Sequence, residues 1–423
     1  MSMANNRMDR FTITHWCGVP HKFIRHPDGT LATERFREMM EAGINLMAAY
    51  DYGYETNCEM LAACEKLGLK VTLSDGRISR AIGDGAHRQE LLEAVVRDYA
   101  GYPALMGYHI VDEPNSGAFP ALADIREILH RLDPAHEAYI NLFPNYASPE
   151  MLGNPTYYDH VAQFAKEVRP EIISYDHYHF IKGEPMERRE VADQRENQIY
   201  EAAFRKVERP GFFDNIQDVR QVSLATDIPF MVIILVVEHG PYRNLTEAEI
   251  RWEVFQSLAY GAKRLSYFTY WTPGVDTDEG DAMWHWKNGM IAKDGTKTAH
   301  YHMIADINRE LQALGDMLLP RRSLAVFHLS QVPDTKVAYW PGAFGDMTSL
   351  AADSVTAGFF DGGYVLLANK DYEAPAPVTF TATPGRRVMH YGKADGLWRE
   401  MTPEGGVYAL TLAAGDGELI RID

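Results

Sequence analysis

A chain of 423 residues with 46 % hydrophobic content can bury a large core and suits one large domain with an accessory one. Its formal net charge of −18, from 59 acidic residues against 41 Lys and Arg with no basic cluster, excludes a surface built for nucleic acid or for an anionic membrane.

From the N-terminus, short apolar segments alternate with amphipathic ones. The spacing predicts a strand over 11–19, a helix over 33–42 closed by Gly43, and a second strand over 44–50. A helix over 57–67 ends at Gly68 and leads to a strand over 69–73. Gly is expected after a helix because the left-handed conformation there costs it little. Next come a helix near 87–100, a strand ending at Glu113 and a helix near 119–132. The fifth strand covers 138–143, its helix 157–168, and the sixth strand 172–178. A long helical stretch is predicted through Val222, followed by the apolar run 228–237 as strand seven and a helix over 247–260. The eighth strand covers 264–271, with a last helix near 299–314. Eight strand–helix units in alternation predict an α/β fold, a closed (β/α)8 TIM barrel, over residues 8–319. An open doubly wound sheet is disfavoured because no Gly-rich phosphate loop accompanies the pattern.

After Pro320 the texture changes. Segments 323–329, 364–369, 378–382, 387–391 and 407–412 are short and rich in strand formers, with Gly, Pro and Asp turns between them. They predict a small antiparallel β-sandwich domain over 320–423 in a structural role.

Cys17, Cys58 and Cys64 have no metal-ligand spacing and suit a reducing compartment. The first ten residues lack an apolar signal core, and the run 228–237 is too short to cross a bilayer. A soluble, cytoplasmic protein is expected, and self-association is compatible with the sequence.

Active sites of such barrels lie at the C-terminal ends of the strands. There the chain collects Trp16, Asp51, Arg77, Asp112, Glu113, Asn141, His177, Tyr178, Glu238 and Trp271. Glu113 follows strand four and Glu238 follows strand seven, so a closed barrel sets the two acids across its mouth. Paired carboxylates in that position can cleave a glycosidic bond. Trp16, Trp271, Trp284 and Trp286 offer flat faces suited to the C–H side of a pyranose ring. Arg77 and Arg243 leave a uronic-acid ligand open.

These motifs resemble the retaining glycosidases of clan A, the group of β-galactosidases, β-glucosidases and β-mannanases. Asp112-Glu113-Pro114 matches two of the three positions of that clan's Asn-Glu-Pro signature, and Glu238 matches its nucleophile. Tyr178 resembles the strand-six Tyr that hydrogen-bonds the nucleophile, and Trp271 the strand-eight Trp beneath the sugar. The stretch 288–295, with Thr298 and Tyr301, is similar to the Gly-Leu-x-x-x-Asp-Gly loop and helix of such enzymes. The resemblance implies a carbohydrate substrate, no cofactor and no metal. It also implies a double displacement with Glu113 as acid/base and Glu238 as nucleophile, and hydrogen bonds from Tyr178 and His177 would hold Glu238 ionised and oriented. The sequence departs from the clan at Asp112, where an Asn usually contacts the sugar 2-hydroxyl. A carboxylate there accepts a hydrogen bond but donates none, and it raises the proton affinity of its neighbour.

A different chemistry draws on His15, His109, His177, His179 and His239 with Asp51, Asp75 and Glu238. They could ligate a metal in a hydrolase or sugar isomerase of the same fold. Strand one, however, carries a lone His15 rather than His-x-His. A carbohydrate-binding protein without turnover is the third reading.

Overall fold

The apolar segments read as strands pair side by side in a single parallel sheet. The computed structural model describes residues 9–191, 199–276 and 284–423, with side chains outside 184–205. Residues 1–8, where the missing signal core was read, therefore lie outside it. Eight strands form the sheet: β1 (Thr12–His15), β2 (Leu46–Ala49), β3 (Lys70–Leu73), β4 (Leu105–Asp112), β5 (Glu137–Leu142), β6 (Ile173–Asp176), β9 (Phe230–Leu235) and β10 (Arg264–Phe268). An antiparallel hairpin of β7 (Phe180–Val191) and β8 (Ile199–Glu208) stands apart between β6 and β9. The sheet runs β1-β10-β9-β6-β5-β4-β3-β2, and Asn45 joins its two ends. Asn45 Oδ1 accepts from Ile13 N (2.9 Å), its backbone N donates to Ile13 O (3.0 Å), and its Nδ2 donates to Phe11 O (2.8 Å). A short polar side chain thus replaces ladder bonds at the seam and closes the TIM barrel.

The helices α1 (Thr33–Glu41), α2 (Tyr54–Leu67), α3 (Gly76–Gly83), α4 (Arg88–Tyr99), α5 (Phe119–Leu132), α6 (Pro149–Leu152), α7 (Tyr157–Glu167), α8 (Phe212–Thr226), α9 (Glu247–Tyr260) and α10 (Ala299–Leu318) follow the strands in the chain. Inside the barrel Tyr139, Ile172, Met231 and Ile233 form a small layer against Trp16 and Phe268. Strands buried on both faces read as near-continuous apolar runs, and β9 (Phe-Met-Val-Ile-Ile-Leu) has every residue buried.

Two expectations are corrected. The continuous helical stretch from strand six to Val222 is instead the hairpin β7–β8 followed by α8, with residues 192–198 outside the described chain. Its Glu, Arg and Ala content favours a helix locally, and cross-strand pairing overrides that weak preference. Strands one and eight end at His15 and Phe268, short of the predicted Val19 and Trp271.

The C-terminal region forms two antiparallel sheets. Strands β11 (Ser323–His328), β13 (Val355–Phe360), β14 (Tyr364–Asn369), β16 (Val388–Gly392), β17 (Leu397–Glu400) and β19 (Gly417–Ile422) make six in the order β11-β13-β14-β19-β16-β17. Strands β12 (Met347–Ala351), β15 (Ala376–Ala382) and β18 (Tyr408–Leu412) make three. Val355, Leu367, Val378, Phe380 and Leu412 fill the space between them, as in a sandwich. The larger sheet lies on α9. A Cβ at Gly358 would stand 2.1 Å from Ala259 O, and one at Gly415 2.0 Å from Ala248 O. Backbone meets backbone at both points, so no other residue fits. With β9 on one side and this sheet on the other, α9 buries even Glu253, Gln256 and Ser257.

Candidate active site

The mouth of the barrel is organised by an irregularity in β4. Against β5, His109 pairs with Tyr139, but Val111 pairs with Ile140 and Asp112 with Asn141, so one extra residue is inserted at Ile110. Such a bulge reverses the inward–outward alternation beyond it. His109 and Asp112, three apart, therefore share the interior face with Tyr139 and Asn141. Asn141 pairs in turn with Ser174 on β6, which puts Asp176 on the same face.

One amide holds the cluster. Asn141 Nδ2 donates to Asp112 Oδ1 (3.0 Å) and Asp176 Oδ1 (3.1 Å), and Asn141 Oδ1 accepts from Ser174 Oγ (2.8 Å). Glu113 follows with φ of 46°, in the left-handed region that a non-glycine residue seldom adopts, and its N donates to Asn141 O (2.9 Å). Desolvation lifts the Glu113 carboxyl from an ordinary 4.5 to about 7, with the Asp112 charge adding to it. Asp112 opens to the mouth, yet protein walls surround that opening. Desolvation raises its carboxyl too, against the Asn141 hydrogen bond. Burial holds Asp176 well above the carboxylate range, and Glu113 and Asp112 push it further. Burial thus raises the proton affinity of all three acids.

Glu238 lies beyond β9 in a different setting. Its Oε1 is 3.0 Å from Lys182 Nζ on the hairpin, and its Oε2 accepts from Asn288 Nδ2 at 3.2 Å. Its backbone exchanges bonds of 2.8 and 2.9 Å with Lys287. The neighbouring His239 stacks on Trp286 (centroids 4.2 Å apart) and touches Tyr178 (6.3 Å). Burial lowers His239 to about 4, so its ring is neutral, and the Val237 carbonyl 3.0 Å from Nδ1 selects the Nδ1–H tautomer.

Of the other residues anticipated at the strand ends, Trp16 meets His109 edge-on (5.4 Å) and lines the floor of the mouth. Tyr178 stacks on Phe268 (5.3 Å). Four others are committed elsewhere. His177 faces α8, with Nδ1 3.1 Å from Asn215 Oδ1, because alternation turns it away from Asp176. Asp51 accepts from Gly53 N, Gly76 N and Asn57 Nδ2, pinning loops. Arg77 is bound by Asp75 (2.8 Å) and Asp98 (2.6 Å). Trp271, 1 % exposed, lies past the end of β10 and packs on Phe23 and Arg35. Tyr178 and His177 supply neither of the contacts to Glu238 described above; Lys182 and Asn288 do.

The aromatic floor at strand eight is Phe268, which sequence reasoning missed although Arg264, Ser266 and Phe268 share one parity. Lys182 gave no signal, since the hairpin carrying it read as helix. Among the described residues no three His, Cys, Asp or Glu side chains converge as a metal site would require. No described helix is long and apolar enough to cross a membrane.

No family model and no curated protein matches the chain. Solved structures do. A protein described as a glycoside hydrolase aligns at TM-score 0.56 and 12 % identity, over 97 % of this chain and 92 % of its own. A glycoside hydrolase family 5 protein from Bacteroides vulgatus aligns at 0.55 and 11 % identity, over 97 % and 89 %. The β-galactosidase from Marinomonas ef1 aligns at 0.52 and 11 % identity over 74 % of this chain, which spans only 62 % of that longer protein. At these identities the likeness is one of fold, the barrel to which the sequence motifs pointed.

Proposed function

We propose that the protein is a glycoside hydrolase in which Glu113 is the general acid. One observation carries the reading: desolvation and Asp112 bring Glu113 to about 7, at the strand-four end of the barrel mouth. A carboxylic acid there keeps its proton near neutral pH yet releases it readily, as protonation of a leaving glycosidic oxygen requires. The barrel shared with proteins described as glycoside hydrolases supports the same assignment.

In the proposed reaction the Glu113 proton passes to the glycosidic oxygen as the bond to the anomeric carbon breaks. Glu238 attacks that carbon from the opposite face and forms a glycosyl ester. Water, deprotonated by Glu113, then releases the sugar and regenerates both carboxyl groups. Lys182 and Asn288 keep Glu238 oriented. Trp16 and Phe268 supply the apolar floor, and Asp112 accepts a hydrogen bond from a sugar hydroxyl.

A panel of nitrophenyl glycosides tests this, assayed with the wild type, Glu113→Gln and Glu238→Ala, with and without azide. Turnover lost in both variants, with Glu238→Ala recovering as a glycosyl azide of opposite anomeric configuration, supports both roles. A folded wild type that cleaves neither these glycosides nor natural oligosaccharides refutes the proposal.

A further inference from the structure

The arginines that first suggested an acidic sugar are internal. Arg77 serves Asp75 and Asp98, and Arg243 is bound to Glu249 at 2.6 Å. Another guanidinium occupies the rim of the mouth. Arg209 follows β8, its backbone N donating to His179 O (2.7 Å). Its guanidinium lies 3.8 Å from the Tyr146 ring centroid and 5.4 Å from that of Tyr242. Its Nη2 donates to Tyr242 OH at 3.2 Å. Among the described residues no carboxylate comes within ion-pairing distance of it. The nearby acids Glu208 and Glu249 are engaged by His179 at 3.4 Å and by Arg243 and Lys206.

Aromatic contacts connect this group to the catalytic acids. Tyr242 meets Tyr178 edge-on at 5.3 Å, Tyr178 stacks on the floor residue Phe268 at 5.3 Å, and Tyr178 stands two residues after Asp176. Tyr146 meets His177 at 5.2 Å on the other side. The two tyrosines hold the guanidinium plane, and among the described residues its other N–H groups meet no acceptor. A planar fork of that kind matches a carboxylate bidentately, and fixing it in advance lowers the ordering cost of binding. Burial raises the proton affinity of Glu113 and Asp176 at the mouth, which lessens the repulsion an anionic ligand would meet there.

Resting on the hydrolase reading above, we propose that Arg209, clamped by Tyr146 and Tyr242, binds the carboxylate of a hexuronic acid, so the substrate is a uronic-acid glycoside rather than a neutral one. The test compares kcat/KM for 4-nitrophenyl β-D-glucuronide and β-D-galacturonide with the matching glucoside and galactoside. The enzymes are the wild type, Arg209→Ala and Arg209→Lys. The wild type is expected to prefer one of the uronides. Arg209→Ala should lower the uronide-to-neutral ratio by about 100-fold, and Arg209→Lys, which keeps charge but loses the fork, by about 10-fold. A wild type that prefers the neutral glycosides, or a ratio unchanged in both variants, overturns the proposal. A binding arm separates this from failure of the hydrolase reading. Saturation-transfer NMR with free D-glucuronate, D-galacturonate, D-glucose and D-galactose needs no turnover. Arg209-dependent preference for a uronate supports the site even without hydrolysis, and equal binding of acid and neutral sugars overturns it.

Discussion

Glu113 owes its chemistry to two neighbours and a backbone conformation. Because desolvation and Asp112 bring its carboxyl to about 7, kcat/KM of the wild type is expected to fall on an alkaline limb near pH 7. Glu113→Gln should lose about 10²- to 10⁴-fold in activity together with that limb, as a pH–rate profile would record. Stability has its own signature. The folded carboxyl takes its proton at about 7 and an unfolded one at the ordinary 4.5, so between those values the unfolded chain ionises first. Stability therefore falls as pH rises through that window, and Asp176 acts in the same direction. Melting temperatures of wild type and Glu113→Gln should coincide near pH 4 and diverge in favour of the variant above pH 7. A variant no more stable than wild type at pH 8 would contradict the burial penalty on Glu113. The acid itself was legible in the sequence, as was the charge beside it. Asp176 as the third member was not, because its closeness follows from barrel closure through Asn141.

Among the elements, the seam at Asn45 and the bulge in β4 decide most. Asn45→Ala removes acceptor and donor from Ile13 N and Phe11 O at once. A loss of about 2–4 kcal/mol is expected in urea unfolding, given about 1–3 kcal/mol for each buried group left unpaired. Deleting Ile110 would remove the bulge and leave Val111 opposite Ile140 and Asp112 still opposite Asn141 on the interior face. The shortened protein should then keep its acids facing inward and lose activity no further than its stability falls, which parallel assays of turnover and melting would check. Periodicity revealed the strands as elements, since a buried strand and an amphipathic helix differ within a few residues. It could not reveal the bulge, which exists only relative to β5. Nor could it reveal the hairpin β7–β8, where pairing between distant residues overrides helix-favouring composition.

For the whole molecule, α9 is the joint. It carries Trp252, Phe255 and Ala259, all buried, between the barrel and the six-stranded sheet. Trp252 Nε1 donates to Lys370 O (3.0 Å) and Gln256 Nε2 to Asn369 O (3.2 Å) across that contact. A chain cut at residue 319 should expose this face and either aggregate or bind 8-anilinonaphthalene-1-sulfonate strongly; a soluble, cooperatively melting barrel would show that the contact is dispensable. Gly358→Val tests the same joint in the intact chain. Its side chain meets Ala259 O head-on, so the melting temperature should drop by several degrees.

By itself the sequence determined the alternation that makes a barrel, the β-rich region after it, and the acids Glu113 and Glu238 at strand ends. These follow from residue type and short-range period, which neighbouring positions carry. The tertiary structure decided which strand-end residues meet. It drew Asp112, Glu113 and Asp176 around Asn141, gave Glu238 to Lys182, and buried Trp271 beneath a loop. It spent Arg77 on internal acids while leaving Arg209 between two tyrosines. The physical reason is the same in each case. A side chain's charge, solvation and partners depend on residues dozens of positions away, and only packing brings those to within a hydrogen bond.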